Sequence, residues 1–170
     1  MEEVENLSKF VDLAVQFGAE DAKIITTDQI LVSSGTRWKC RFGCSQYGKS
    51  LMCPPYTSTL EEIRKLVHEY RYALLFRVRP STSSNLAVEL ERRIFLNGYP
   101  SAIAFSADTC RLCDYCDVHK GFCVKSSEAR PTMEACGIDV FETAKNAGYD
   151  MRVLTSRDQE YLWYGLLLTK

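Results

Sequence analysis

The chain lacks most of what would direct it to nucleic acid, to a membrane or to an export route. Its 21 Lys and Arg almost cancel its 22 Asp and Glu, leaving a formal net charge of −1. A general electrostatic attraction to nucleic acid or to an anionic lipid surface is therefore not expected. No apolar stretch approaches the ~20 residues that a membrane-spanning helix needs. The opening MEEVENLSKF is acidic and amphipathic, without the basic-then-apolar layout of a secretory signal, so a cytoplasmic location is expected. Histidine is scarce, at 2 residues, His68 and His119. Neither lies near a serine in a strand-turn-helix context, so no Ser-His-Asp set is formed. There is no internal repeat, low-complexity tract or linker, and residues 1–170 read as a single domain.

Cysteine is what the chain has in quantity, with 8 residues. In a chain without an export signal, that number points to metal ligands in a reducing compartment, against a disulfide framework. Cys110, Cys113, Cys116 and Cys123 follow the spacing C-x2-C-x2-C-x6-C. Three thiolates two residues apart wrap the chain around one centre, as a compact four-iron cluster requires. A tetrahedral zinc site more often takes its ligands as two separated pairs. The expected cofactor is an iron–sulfur cluster, of the 4Fe–4S type by this spacing, with zinc as the alternative. Packing alone gives no reason to repeat cysteine at this interval.

A second group, Cys40, Cys44 and Cys53, has the spacing C-x3-C-x8-C. Gly43 and Gly48 permit tight turns within it, and Pro54 and Pro55 stiffen its exit. Three cysteines leave a fourth position to fill. Cys136 is the remaining cysteine and either closes this site from a distance or leaves it open to an outside ligand or substrate. Lys39, Arg41 and Lys49 would offset the negative charge of ligated thiolates. One cluster or two are thus expected. No catalytic residue is assigned, and whether the protein is an enzyme stays open.

Other motifs carry less. Gly43 to Ser50 spells the phosphate-loop string G-x4-G-K-S, but that string needs a strand before it and a helix after it. Here Arg37-Trp-Lys-Cys-Arg precedes it and Met52-Cys-Pro-Pro follows, so nucleotide binding is set aside. His68 lies among charged residues of an expected helix and reads as surface. His119 lies within the second cysteine group, where four thiols already suffice.

Apolar spacing predicts a helix from Glu3 to Phe17, with Val4, Leu7, Phe10, Val11 and Ala14 on one face and Gly18 ending it. Short strands are expected at 22–26 and 30–33, with a turn at Asp28. A helix to Glu69 follows the first cysteine loop, capped by Ser58 or Thr59 through a Ser58-x-x-Glu61 box. YALLFRV, Tyr72 to Val78, is expected to be an interior strand. After a break over 80–84 come a helix at 86–96, a strand at 102–106, the second cysteine loop, a helix at 139–146 and strands at 151–154 and 162–168. The alternation predicts a single α/β domain: a mixed β-sheet flanked by helices, with two cysteine-rich metal-binding loops next to strands.

Taken together, these pieces resemble an uncharacterised cysteine-rich family of predicted metal-binding proteins, found mainly in anaerobic bacteria and archaea. The resemblance is carried by Lys39-Cys40, Cys44 with Tyr47-Gly48-Lys49, Cys53-Pro54-Pro55-Tyr56, Glu69 to Leu75, Cys110 to Cys123, Ala129 to Ala135, Gly137 to Phe141 and Tyr164-Gly165-Leu166. It implies cysteine-bound metal, iron–sulfur in kind, without a settled reaction. The function expected is electron transfer or a redox accessory role in anaerobic metabolism. The partner would be a redox protein or a small organic cofactor. The alternatives are a non-enzymatic zinc protein and an enzyme with an open three-cysteine cluster.

Overall fold

The computed structural model describes residues 2–80, 85–156 and 158–169, with side chains from Asn6 onward. The fold is organised by β2, Tyr72–Val78. Its run of β-branched, aromatic and aliphatic residues is apolar on both sides, which suits a strand covered on both faces. Ala73 and Leu75 enter one core, while Tyr72, Leu74, Phe76 and Val78 enter the other. β1 (Asp21–Thr26) and β4 (Trp163–Thr169) flank it, and β3 (Ile103–Phe105) lies outside β4, giving the order β1-β2-β4-β3.

Helices cover both faces, as the α/β reading expects. On one face lie α1 (Glu2–Gln16) and α4 (Leu86–Leu96). Leu7, Phe10 and Ala14 of α1, and Leu86, Leu90 and Ile94 of α4, form apolar stripes at helical spacing against the sheet. On the other face lie α3 (Leu60–His68) and α5 (Val140–Asn146), with Ile63, Val67 and Ala144 packed on Met133, Cys136 and Ile138. Gly18 and Ala19 close α1 by donating to Val15 O and Ala14 O, at 3.1 and 2.9 Å, the Schellman pattern.

Strand direction differs from expectation. All three ladders are antiparallel, and parallel pairing is confined to one bridge, Ser106 with Thr132. The βαβ crossover that alternation suggests is present as β2–α4–β3. Those two strands do run the same way, but β4 is inserted between them and runs against both, so no parallel ladder forms.

Several local expectations also shift. A ten-residue helix, α2 (Ser34–Gly43), stands where a loop was expected, and none of its residues is buried. It has no core-facing stripe, and Ser, Gly and Thr at its start are poor helix formers. The strand expected at 30–33 reduces to one bridge, Val32 with Ile138, after a 3-10 turn at Thr27–Gln29. The strand expected at 151–154 does not form; Val153 and Leu154 are exposed. α3 is capped by Thr59 and Glu62, one residue beyond the Ser58 box. The break expected at 80–84 lies, beyond Pro80, outside the described residues, as does the Val4 side chain.

Gly165 pairs across β2 with Phe76. A Cβ there would stand 2.2 Å from Phe76 Cζ and 3.0 Å from Phe105 O, so the ring occupies the space a side chain would take. Gly165→Ala should destabilise by roughly 1–3 kcal/mol through overpacking, checked by urea denaturation.

Tyr149 packs edge-on to Tyr164 between two cations, with Lys23 Nζ 4.0 Å and Arg77 Cζ 4.7 Å from its ring centroid. Its hydroxyl is buried without a hydrogen-bond partner. Burial, and then the Asp21 carboxylate, hold its pKa well above the ordinary tyrosine value, against the pull of Arg77. The unfolded chain loses this proton near pH 10, by about the model-peptide value, while the folded chain keeps it. Stability should therefore be intact below that pH and fall as pH rises above it. Tyr149→Phe should keep stability at neutral pH and flatten the alkaline fall in a thermal-melting series.

Candidate metal centre

The first cysteine loop is laid against a short 3-10 turn, Glu134–Cys136. Ser33 caps α2 by accepting from Gly35 N at 3.1 Å, and its own N–H donates to Gly137 O at 2.8 Å. Gly137 has φ +80°, and a Cβ there would meet Leu60 Cδ2 at 2.2 Å. Only glycine satisfies both conditions. Thr57 at the far end of the loop donates to Ala135 O at 2.6 Å. Arg37 ties the two ends of the loop together, donating to Thr57 Oγ1 at 3.0 Å and Ser58 O at 2.6 Å.

Within this frame Cys40 sits in the last turn of α2, with Sγ 3.7 Å from Glu134 O, and Cys44 is the residue that ends the helix. Gly48 N donates to Pro54 O at 2.8 Å and Cys53 N to Ser50 O at 2.9 Å. These turns fold Cys53 inward, where it is buried. The first loop thus hangs from a helix, not from a strand as expected.

The second loop leaves the end of β3, as expected. Its neck is closed by the Ser106–Thr132 bridge and by Ser106 N donating to Pro131 O at 2.8 Å. Arg130 also grips Glu91 of α4 through two guanidinium nitrogens, Nε at 2.9 Å and Nη2 at 2.5 Å. Glu91 accepts in addition from Ala104 N of β3 at 2.7 Å. Between those closures, residues 107–131 contain one 3-10 turn, Val118–Lys120, and a single buried residue, Ala129. A loop of this length with so little core is characteristic of a functional segment.

The two loops meet. Leu51 N donates to Cys116 Sγ at 3.5 Å. Burial pushes the Cys53 thiol up to about 11, and the neighbouring thiols Cys44, Cys40, Cys110 and Cys116 add to the rise. Cys53 therefore stands between the two groups. Burial raises Cys110 as well; the Leu112 N–H opposes this, and Cys123, Cys113 and Cys116 reinforce it. Cys40 is raised by burial and then by Cys44 and Glu134. Bare thiols so placed resist ionising together, and a cation among them reverses that balance.

Two hollows accompany the thiols. One, of about 410 Å³, is lined by Cys40, Cys44 and Cys53 together with Tyr47, Asp108, Arg111, Glu134 and Trp163. The other, of about 100 Å³, is lined by Cys113, Cys116 and Cys123 beside Leu51, Tyr115 and Phe122. Among the described residues, no three Cys, His, Asp or Glu side chains converge on a single-ion site. All eight cysteines are free thiols.

Cys136 is placed differently from the other seven. It is 2% exposed within the core beneath α3 and α5, behind Ala135, and burial pushes its thiol up to about 12. It is close enough to Cys40 to feel its charge, yet the lining of the larger hollow passes through Glu134 and Ala135 instead. His119 is exposed on the 3-10 turn, and His68 is exposed at the end of α3. The G-x4-G-K-S string is preceded by helix α2 and followed by turns, without the strand and helix a phosphate loop needs. Lys39, Arg41 and Lys49 are all exposed.

Sequence reading did not single out Asp108, Arg111, Glu134 or Trp163 as neighbours of the thiols. Cys40 and Glu134 are 94 residues apart, and Leu51 and Cys116 are 65 apart, so no local spacing could reveal them. The proximity of Asp108 and Arg111 to Cys110 was the one available signal.

The model of a family described as predicted metal-binding protein matches residues 23–169. No curated protein and no solved structure matches the chain. The matched span contains all eight cysteines. No helix among the described residues is long and apolar enough to cross a membrane.

The Glu91–Arg130 pair is mostly buried, with side-chain exposures of 18% and 21%. Glu91→Ala would leave Nε and Nη2 of Arg130 and the Ala104 N–H without their acceptor, while Arg130 Nη1 keeps Ser126 O and Ala129 O, at a cost of roughly 2–3 kcal/mol, below that of a fully buried pair. Hydrogen exchange should then accelerate across 107–131 while β2 keeps its protection.

Proposed function

The chain belongs to the predicted metal-binding protein family DUF2284, and we propose that it is an iron–sulfur protein that works in electron transfer. Cys110, Cys113, Cys116 and Cys123 would hold one cluster, and Cys40, Cys44 and Cys53 a second. The observation that carries this reading is the junction at Leu51, two residues before Cys53, where a backbone N–H of the first loop reaches Cys116 Sγ of the second at 3.5 Å. Bound iron–sulfur clusters supply one-electron chemistry, at potentials set partly by hydrogen bonds to their sulfurs.

The donors fit such a group. The seven thiols are soft ligands suited to iron–sulfur clusters and to zinc. The smaller hollow, about 100 Å³, is lined by three of the four thiols of the second group, Cys113, Cys116 and Cys123. Leu51 N–H and Leu112 N–H donate toward Cys116 and Cys110, and such donors stabilise charge on thiolate sulfur. The second loop has little else to order it, so the energy of ligation would be folding energy there.

A second reading concerns the first group alone. Cys136 lies in the core, and the space beside Cys40, Cys44 and Cys53 is an open cavity of about 410 Å³. That arrangement favours a three-thiolate site whose fourth position faces the cavity and accepts an exchangeable ligand. A colourless zinc protein, with thiolates that only brace the loops, is the competing outcome.

Anaerobic purification should yield a brown protein with iron and acid-labile sulfide in equal amounts. Cys113→Ala and Cys40→Ala should each remove one centre's share of the iron, whereas Cys136→Ala should retain both. Loss of the first centre in Cys136→Ala would mean that this thiol closes the site. Stoichiometric zinc after growth with ample iron would overturn the iron–sulfur reading.

A further inference from the structure

Helix α2 has an outward face against which none of the described residues packs. Trp38 and Phe42, four residues apart, are 66% and 64% exposed, and their rings meet at 4.5 Å between centroids. A helix of this length draws its stability mainly from a packed apolar face, yet α2 buries no residue. Its one inward tie toward the thiols is Cys40, whose Sγ faces Glu134 O. The helix therefore carries a site thiol on one side and an unpartnered aromatic pair on the other.

Along the chain the charge around this pair is one-sided; the nearby carboxylates, Asp139 against Thr36 and Glu134 against Cys40, lie toward the other side of the helix. From Gln29 to Leu60 the sequence holds no Asp or Glu, but it holds Arg37, Lys39, Arg41 and Lys49, a surplus of +4 in a chain of net −1. Arg37 turns inward to Thr57 and Ser58. Lys39, Arg41 and Lys49 are exposed, and among the described residues none of them enters an ion pair; Arg41 lies 5.4 Å from the Phe42 ring centroid. Exposed Trp, Phe and Arg in one patch are the residues that interface cores favour.

We propose that the α2 face is the docking surface for the acidic surface of a partner protein, bound by Trp38 and Phe42 at the centre and by Lys39 and Arg41, their neighbours on the helix, at the rim. Charge complementarity selects the partner: cations bracketing a small apolar spot steer and orient an acidic protein. Two rim cations are few for a nucleic-acid groove, where each neutralised phosphate needs its own. Two aromatic rings offer little apolar area for lying in a lipid interface. A partner seated here would be separated from the Cys40 side only by the helix, about 10–12 Å across with side chains. Only the partner's electron-carrying nature rests on the electron-transfer reading; docking is a property of this chain's own surface.

The test is calorimetric titration of the anaerobically purified protein with two acidic electron carriers, a plant-type two-iron ferredoxin and a flavodoxin, at low and high salt. A basic cytochrome c serves as the control. Binding to an acidic probe should weaken as salt rises. It should fall by about tenfold or more, the equivalent of one factor of ten in Kd, in Lys39→Glu/Arg41→Glu. It should also fall in Trp38→Ala, which leaves every thiol and charge in place. Lys65→Gln, at an exposed position of α3, should bind as the parent does. Iron and sulfide content, measured on every variant, separates failure of docking from failure of the cluster reading. Absence of binding to both acidic probes overturns the proposal, as does equal binding to the cytochrome or binding indifferent to Trp38→Ala. Sedimentation showing a dimer lost in Trp38→Ala would assign the face to a second copy, and binding to anionic vesicles or to DNA lost in the same variant would assign it to those; each of these also overturns it.

Discussion

The backbone of one short turn, Glu134–Cys136 with Gly137, accepts from three separated parts of the first cysteine loop: Ser33 N, Thr57 Oγ1 and Cys40 Sγ. The same turn is rooted in the core through Cys136 and by Ile138 N donating back to Met133 O at 2.9 Å. It also follows directly on the return of the second loop at Thr132. Both groups of thiols are therefore referenced to a single rigid piece of main chain. Side chains on long loops usually drift relative to one another; here the first loop is anchored to the carbonyls of this turn and the second closes at Pro131 and Thr132, immediately before it, so their relative position is an outcome of core packing.

On that frame the electrostatics are unfavourable by design of the sequence. Thiols are brought near enough to oppose one another's ionisation, and Cys53 feels both groups. Removing such groups from water penalises the charged form, and neighbours of like sign add to the penalty. Ligation of a cation is the physical means by which those thiols become thiolates without separating. The exposed cations of the first loop act at longer range and in solvent, where their effect is smaller and falls with salt.

Much of the fold was legible because its elements carry their own periodicity. β2 and α4 fall on the expected residues, since one is an unbroken apolar run and the other an apolar stripe between Asn85 and Gly98. α2 was hidden because it buries nothing and so has no stripe to read. The antiparallel sheet was hidden because strand order depends on where β4 inserts, which no local pattern encodes. The cysteine groups themselves were plain from spacing. Their contact, the hollow shared with Glu134 and Trp163, and the separate place of Cys136 depend on pairings far apart in the chain. Cys136 illustrates the limit: composition makes every cysteine an equal candidate, and only the packing around it distinguishes a core thiol such as Cys136 from Cys53, which is also buried but lines the cavity.

The insertion of β4 between β2 and β3 has a consequence for the order in which the molecule is built. Among the described residues β3 has β4 as its sole ladder partner, and β4 lies beyond both cysteine loops in the chain. During synthesis, every thiol emerges before the strand that seats β3, and with it the neck of the second loop, against the rest of the sheet. Until β4 arrives, the second loop hangs from an unpaired strand, and the surfaces that later enclose the thiols stay accessible to whatever delivers their metal. β4 thus doubles as the strand that completes the seating of the second loop.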